Sequence, residues 1–475
     1  MPLLPVLACL LGGATEKWAE GIVVGFLGLL LLVRPPRVSL GLFLNGILIA
    51  LLACAATAFL PARWFFEPAW RRALISDFAV NVGSTVSPQP WLSFGCFVSL
   101  LAALSWLYYV ATQALDNRTV RHQLRIFAGG VALLAALAIG LYLARVAPPF
   151  WHSQRGFGPF PNRNQTADLL GITTAVILAC GYDDIRQRRK RWIFWLATFA
   201  VVVAAVVLNF SRAGIAILVA GSALWLGSFA LRRGSSARLA LGACALLALL
   251  TIMLVVGGQT LERFNLRGDG AGVTSDFRWL IFRDAWQLIR ESPWCGIGLA
   301  NFEPVFAIFR NASIGHTKAL HPESDWLWVC AELGWPSVLL IVAGAALLIR
   351  RVLPLDEGTN QRFRIAALIA ALLFGLHGFV DVSAHRVGTA YAGVLLLGLA
   401  LRRPLELRTS RTVPAISRAI GLLLIAAGVT WTYAAWQKLP LPSGVGVDNA
   451  RRAAVHSNQE RNFAETITHA QRGLQ

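Results

Sequence analysis

The chain has 475 residues, 56% of them hydrophobic and 14% charged, with a mean hydropathy of +0.60 and a formal charge of +19. A soluble chain carries about a quarter charged residues, whereas here the charges are bunched and leave apolar stretches of roughly 18–25 residues, long enough to cross a bilayer. These values exclude an ordinary soluble domain and predict an all-α polytopic integral membrane protein; the positive charge belongs to cytoplasmic loops facing membrane lipids, with no nucleic acid as partner.

In chain order, the first apolar stretch, PLLPVLACLLGGA, has no basic residue before it and reads as a short first span, not a cleavable signal. Apolar runs set against their Gly, Pro and charged punctuation predict about thirteen helices, near 2–14, 20–33, 39–60, 91–115, 126–147, 166–181, 192–208, 213–231, 238–256, 326–350, 363–380, 388–401 and 414–436. Six short basic connections alternate through this map: RPPR (34–37), DNRTVRHQLR (116–125), DDIRQRRKR (183–191), LRRGSSAR (231–238), RRVLPLDEGTNQRFR (350–364) and RRPLELRTSR (402–411). All fall on one side, which the positive-inside rule makes the cytoplasm, with the N-terminus. Several of the seventeen Trp sit at the edges of the runs, as an interfacial belt would have them.

The opposite, external side receives 61–90, 148–165, 257–325, 381–387 and the tail from about 437. The expected organisation is a transmembrane domain over 1–436, including the external loop 257–325, and an external helical tail over 437–475. Ala spacing in the tail looks like the beginning of a tetratricopeptide-type helix pair. The seven cysteines show no CxxC pair and no metal-ligand spacing, so neither a disulfide framework nor a zinc site is expected.

Three external features carry chemistry. LNFSRAGIAI places Arg212 in a short break between two apolar runs. An Arg at the bilayer centre costs about 2.5–3.5 kcal/mol on insertion scales, so one this close to hydrocarbon needs a partner, a cavity or lipid headgroups. TSDFRWLIFRDAWQLIRESPWCGIG reads as an amphipathic surface helix, with Trp279, Phe282, Trp286 and Ile289 on one face and Arg283, Asp284, Gln287 and Arg290 on the other. Ser275 or Asp276 caps its start and Pro293 follows its end. Arg278 then lies in the first turn, where a cation opposes the helix dipole unless an anion compensates. Such a guanidinium beside unpaired amides suits a diphosphate, or else it pairs with Asp276 or Asp284.

The third feature is HTKALHPESDWLWVCAELGWP. A helix starting after Pro322, with Ser324 or Asp325 near its cap, leaves His321 at the external helix entrance. An imidazole in a polar cluster is a fitting general base, because its ordinary pKa lies near ambient pH. Metal ligation by His316, His321, Glu323 and Asp325 is the lesser alternative, and the spacing is not that of a zinc peptidase.

These residues resemble the O-antigen ligase / Wzy-type polymerase superfamily, which includes bacterial protein O-oligosaccharyltransferases. The matching stretches are PFPNRNQTADLL (159–170), NFSRAG (209–214), Arg278 with ESPWCGIGLANF (291–302), HPESDWLWVCAELG (321–334) and HGFVDVSAH (377–385). The resemblance implies a GT-C-type glycosyltransferase bundle of about 12–13 transmembrane helices in the bacterial inner membrane. Such an enzyme moves a glycan from undecaprenyl diphosphate, on the periplasmic side, to a lipid A core, protein or glycan acceptor. It implies diphosphate-binding roles for Arg212 and Arg278 and a catalytic role for His321, without metal or other cofactor and with inversion. The family commonly has Asn after that histidine, where this chain has Pro322 and then Glu323. Glu323 or Asp325 can orient the imidazole, and Arg163 with Asn162 and Asn164 can contact phosphate or sugar. Asp381, His377 and His385 either close the pocket or pair structurally with one another and with Arg386. The competing class is a transporter or flippase of lipid-linked sugars, which would show inverted repeats and midplane ionisable groups; neither stands out here.

Overall fold

A computed structural model describes residues 1–65, 67–77, 82–113, 115–153, 157–230, 277–314, 319–352, 361–401, 409–439, 453–460 and 462–474. Among the described residues no β-strand forms, although Pro61 and Thr85 pair in an isolated bridge. Among the described residues, four helices are long and apolar enough to cross a membrane: Leu42–Phe59, Pro90–Thr112, Asn117–Ala144 and Thr412–Gln437. Four shorter ones are also apolar: Trp192–Leu208, Arg212–Ser228, Trp335–Arg350 and Val387–Ala400. The polytopic, all-helical class therefore holds.

The expected helix over 238–256 and the loop segment 257–276 lie outside the described residues, and each of the other twelve runs contains a helix. Three differ from expectation for local reasons. The first run folds only as α1 (Leu3–Leu10), about 12 Å long against a hydrocarbon core of about 30 Å. It stops at Gly12 and Gly13, both at φ 72°, and a Cβ on Gly12 would sit 2.3 Å from the Phe150 carbonyl oxygen. The run 326–350 breaks at Gly334 (φ 78°) into two helices, Asp325–Leu333 and Trp335–Arg350. The helix over Asn117–Ala144 begins within the basic connection because the Asp116 carboxylate accepts the Thr119 N–H at 3.0 Å, an N-cap ahead of the apolar run. A short helix over Ala69–Ser76 has no counterpart among the expected elements.

The chain divides into two compact units. The first comprises Met1–Thr15, Trp106–Asp276 and Ala346–Thr409. In chain order its helices include α1, that over Asn117–Ala144, Arg163–Arg186, Trp192–Leu208, Arg212–Ala230, Gln361–His377 and Val387–Ala400. Arg163–Arg186 is its axis, buried along most of its length and packed against the helices that begin at Trp192, Arg212 and Gln361. Small residues permit that approach: a Cβ on Gly214 would lie 2.2 Å from that of Ala167. Burying a helix on every side also buries its polar groups, which then require partners. At one end Asp183 and Asp184 are held by Arg125 at 2.9 and 2.8 Å, and Asp184 accepts the Trp195 indole N–H at 2.9 Å.

The second unit comprises Glu16–Ser105, Phe277–Ala345 and Ser410–Gln475. Here α2 (Lys17–Val33) packs along the helix over Thr412–Gln437 through glycines on both faces. A Cβ on Gly428 would lie 2.4 Å from the Gly21 carbonyl oxygen, and one on Gly421 2.7 Å from that of Gly28. Backbone-to-backbone contact of this kind gains dispersion energy that lipid tails do not match. Beside it the buried Glu20 carboxylate pairs with Lys17 at 2.8 Å and accepts from the Ser99 hydroxyl. Overpacking a tight contact costs about 1–3 kcal/mol, so Gly428→Val should lower the melting temperature of the purified protein. Gly46→Val, at a glycine with nothing within 4 Å of its Cβ position, should leave it unchanged. Equal melting temperatures for both variants would contradict the packing account.

Candidate active site

In the second unit, residues 277–309 and 319–333 close around a core that also takes in Trp70 and Val82. The next helix, α3 (Phe277–Glu291), buries Ile281, Ala285, Leu288 and Ile289 against Phe302, Phe306 and Phe309. The faces divide differently from the sequence expectation. Trp279 and Trp286 are 53% and 45% exposed, while Ile289 and Asp284 turn inward and are fully buried. Hydrophobic periodicity sees two apolar stripes on this helix and cannot decide which one meets the core. Asp284 decides it. Its carboxylate accepts the N–H groups of Asn311, Ala312 and Ser313 at 3.1, 3.1 and 2.7 Å and the Ser313 hydroxyl at 2.7 Å.

A second carboxylate fastens the far side. Glu332 accepts the N–H groups of Ala300 and Phe302 at 2.9 and 3.1 Å, while Ile297 and Gly298 donate to the carbonyls of Ala331 and Glu332, both at 3.0 Å. The stretch CGIG needs its first glycine because a Cβ on Gly296 would lie 2.3 Å from the Glu332 carbonyl carbon. These contacts fix α4 (Asp325–Leu333), whose start is capped by the Ser324 hydroxyl accepting from the Leu327 N–H at 3.5 Å. Asp325, buried in the first turn, is favourably placed against the helix dipole.

Immediately before α4 the chain turns at Glu323 with φ 55°, a left-handed conformation that costs a residue with a side chain about 1–2 kcal/mol. The turn faces its carboxylate to two groups at once. One oxygen lies 3.5 Å from Arg278 Nε and the other 3.4 Å from His321 Nδ1. The His321 ring also stacks on the Trp328 indole, with centroids 5.7 Å apart and planes at 24°. Arg278, in the first turn of α3, thus has Glu323 as its compensating anion, while Asp284 is committed to the 311–313 backbone.

The first unit gathers the other expected residues. Arg163 and Arg212 are each the first residue of a helix, and side chains tie the two starts together. Asn209 Nδ2 donates to the Arg163 carbonyl at 2.6 Å, and the Ser211 hydroxyl donates to Asn164 Oδ1 at 2.8 Å. Asn164 Nδ2 in turn donates to Asp381 at 2.6 Å, and the Val382 N–H donates to the same carboxylate at 2.7 Å. Four residues beyond Asn164 on the same helix face, the fully buried Asp168 lies 3.4 Å from His377 Nδ1, which is 3.2 Å from the Ser383 hydroxyl. Arg163 is half-buried and Arg212 exposed. Two guanidinium-bearing helix starts are thereby joined, an arrangement suited to an anion.

Arg163, Asn164, Arg212 and Asp381 thus belong to the first unit, and Arg278, His321, Glu323 and Asp325 to the second. Sequence reasoning missed Asp168, although an isolated carboxylate in an apolar helix, one turn after Asn164, is a recognisable signal of a buried partner. It also missed Asp284 and Glu332 as acceptors of backbone N–H groups, for which sequence carries no signal. His316 lies outside the described residues; among the described ones no group of three or more His, Cys, Asp or Glu side chains has the geometry to hold a metal ion.

Residues 197–342 match the family model Wzy_C, described as O-antigen ligase. That segment, less than half of the chain, is similar to the O-antigen ligase / Wzy-type superfamily, the one its motifs resemble. Together with the apolar helices, this similarity supports a multi-pass membrane protein of the glycosyl-transferring O-antigen ligase and polymerase kind. The matched span takes in Arg212, Arg278, His321, Glu323 and Asp325 and leaves out Arg163, Asn164 and Asp381. No curated protein matches the chain.

Leaving a buried donor unsatisfied costs about 1–3 kcal/mol. Asp284→Ala should therefore speed amide hydrogen exchange at Asn311–Ser313 roughly tenfold or more, measured on the full chain in detergent. Unchanged exchange there would show that the carboxylate does not hold this segment.

Proposed function

We propose that the protein transfers a glycan from undecaprenyl diphosphate to an acceptor hydroxyl at the periplasmic face of the bacterial inner membrane, with inversion and without a metal. The observation that carries this reading is the Glu323 carboxylate between Arg278 and His321. It gives one small region both a cation for a departing diphosphate and an imidazole for the attacking hydroxyl. In this reading the N-terminus is cytoplasmic and the site and tail are periplasmic, an orientation supported by the six basic connections on one side.

The steps balance on the residues named. The acceptor oxygen bonds to the anomeric carbon on the face opposite the diphosphate, and its proton passes to His321. The bond from the anomeric carbon to the phosphate oxygen breaks, and its electron pair leaves with undecaprenyl diphosphate. Glu323, 3.4 Å from Nδ1, is a negative charge that favours a proton on Nδ1, leaving Nε2 as the base, and stabilises the imidazolium that forms. Arg278 and Arg212 stabilise the charge that develops on the leaving group, as preorganised cations do best where water is excluded. A guanidinium has five N–H donors, so Nε of Arg278 can face Glu323 while its terminal nitrogens grip a phosphate bidentately. Asn164 and Asp381, with Arg163 at the adjoining helix start, support Arg212 by fixing where its helix begins. The acceptor is a lipid A core, a protein hydroxyl or another lipid-linked glycan.

The test is transfer by purified protein supplied with an undecaprenyl-diphosphate-linked glycan and a membrane acceptor. His321→Ala should lower the rate by about 10²–10⁴-fold, and Arg278→Ala or Arg212→Ala by about 10²–10³-fold each. Glu323→Gln should lower kcat, and Arg278→Lys should not restore activity because the bidentate grip is lost. Normal transfer by the three alanine variants refutes the assignment, and movement of the lipid-linked sugar across vesicles without product would identify a flippase instead.

A further inference from the structure

At the opposite end of α3 from Arg278, and within the same unit, lies a hollow of about 540 Å³. This is a size typical of small-ligand sites, which run roughly 300–1,000 Å³. It opens between the external segment around Pro68–Arg72 and the turn from Arg290 to Gly296. Trp70, 3% exposed, forms part of the floor; its indole N–H donates to the Ser292 hydroxyl at 3.1 Å and its backbone N–H to the Glu291 carboxylate at 3.2 Å. Arg71, also buried, donates to the carbonyls of Thr85 at 2.9 Å and Val82 at 3.1 Å and to that of Gly83, so it builds the wall. Arg72 and Arg290 line the hollow from exposed positions, as does Trp294, which is 74% exposed.

This lining has a specific chemistry. Indole and phenyl faces, here Trp294 and Phe65, pack against the apolar C–H face of a pyranose ring while leaving its hydroxyls to polar neighbours. Two exposed guanidinium groups outnumber the one lining carboxylate, Glu291, which is already bonded to the floor. Guanidinium pairs select carboxylate or phosphate. We propose that this hollow is a saccharide subsite that binds an anionic sugar unit, one carrying a carboxylate or a phosphate. Arg278 and Arg290 stand twelve residues apart on one helix, about 18 Å at 1.5 Å per residue. The subsite therefore grips a glycan several units from the reacting carbon, a role that rests on the proposed transfer reaction. The binding itself does not rest on it.

The experiment is calorimetric titration of the full-length protein in lipid nanodiscs with trigalacturonate and with neutral maltotriose. The expected result is trigalacturonate bound at least tenfold more tightly. Arg72→Ala with Arg290→Ala should abolish the preference, and Trp294→Ala should weaken both sugars, with melting temperatures unchanged since all three side chains are exposed. His321→Ala should lose transfer yet bind trigalacturonate as the wild type does, which separates failure of this proposal from failure of the catalytic reading. Equal affinity for the two sugars, or a preference that survives the double substitution, overturns it. The source of the sugar is read by placing a photo-cross-linking residue at Ala69 in cells. An adduct lost when the lipid-linked donor is removed assigns the subsite to the donor, and one lost when the acceptor is removed assigns it to the acceptor. Adducts to phospholipid alone, or none, overturn the proposal.

Discussion

The buried Asp284 carboxylate collects four donors from residues 311–313 and so fixes the chain leading toward His321 onto the helix that carries Arg278. Residues 311–313 of the second unit are fixed by that anchor. Glu332 does the same for the glycine-rich stretch on the other side of α4. Both carboxylates are spent on backbone N–H groups, which in a buried setting must be paired by something. Glu323 differs from them. It is partly exposed, sits on a strained turn, and faces two side chains that can act on a substrate. Strain of this kind persists where the surrounding structure over-determines it, and it gathers at functional positions.

The first unit obeys the same constraint by other means. A central helix buried along most of its length, with polar residues along it, needs partners for them. At one end Arg125 holds Asp183 and Asp184, and near its start Ser211 and Asp381 bond Asn164 while His377 lies 3.4 Å from Asp168. The network that satisfies Asn164 also sets where Arg212 begins its helix. Breaking a buried pair by removing one partner costs about 3–5 kcal/mol, so these groups serve position and stability together.

Much of the scaffold is legible in the sequence because hydrocarbon punishes unpaired backbone and leaves long apolar runs as its signature. Arg212, Arg278 and His321 are legible for the converse reason: each is an ionisable group at the edge of an apolar segment, where it needs a purpose. Other features leave no such mark. Gly334 breaks a continuous apolar run only because its backbone meets Trp294 at 2.3 Å from an imagined Cβ, a tertiary fact. The helix over Ala69–Ser76 is short and mixed in polarity, and its place depends on Trp70 reaching Glu291 and Ser292, far along the chain. The inward face of α3 is undecidable from its two apolar stripes. Whether a carboxylate serves backbone or side chain, as with Asp284 and Glu323, depends on a three-dimensional turn that spacing does not encode.

The proposed chemistry stands on Arg278, Glu323 and His321 working with Arg212 on one lipid diphosphate. The most direct measurement is a structure of the full chain with undecaprenyl diphosphate bound. The expected result is both phosphates within hydrogen-bond reach of the Arg212 and Arg278 guanidinium groups, with the His321 imidazole facing the terminal phosphate oxygen that would carry the sugar. Phosphates lodged against other residues, or held by one of these arginines with the other turned to a separate hollow, would contradict it.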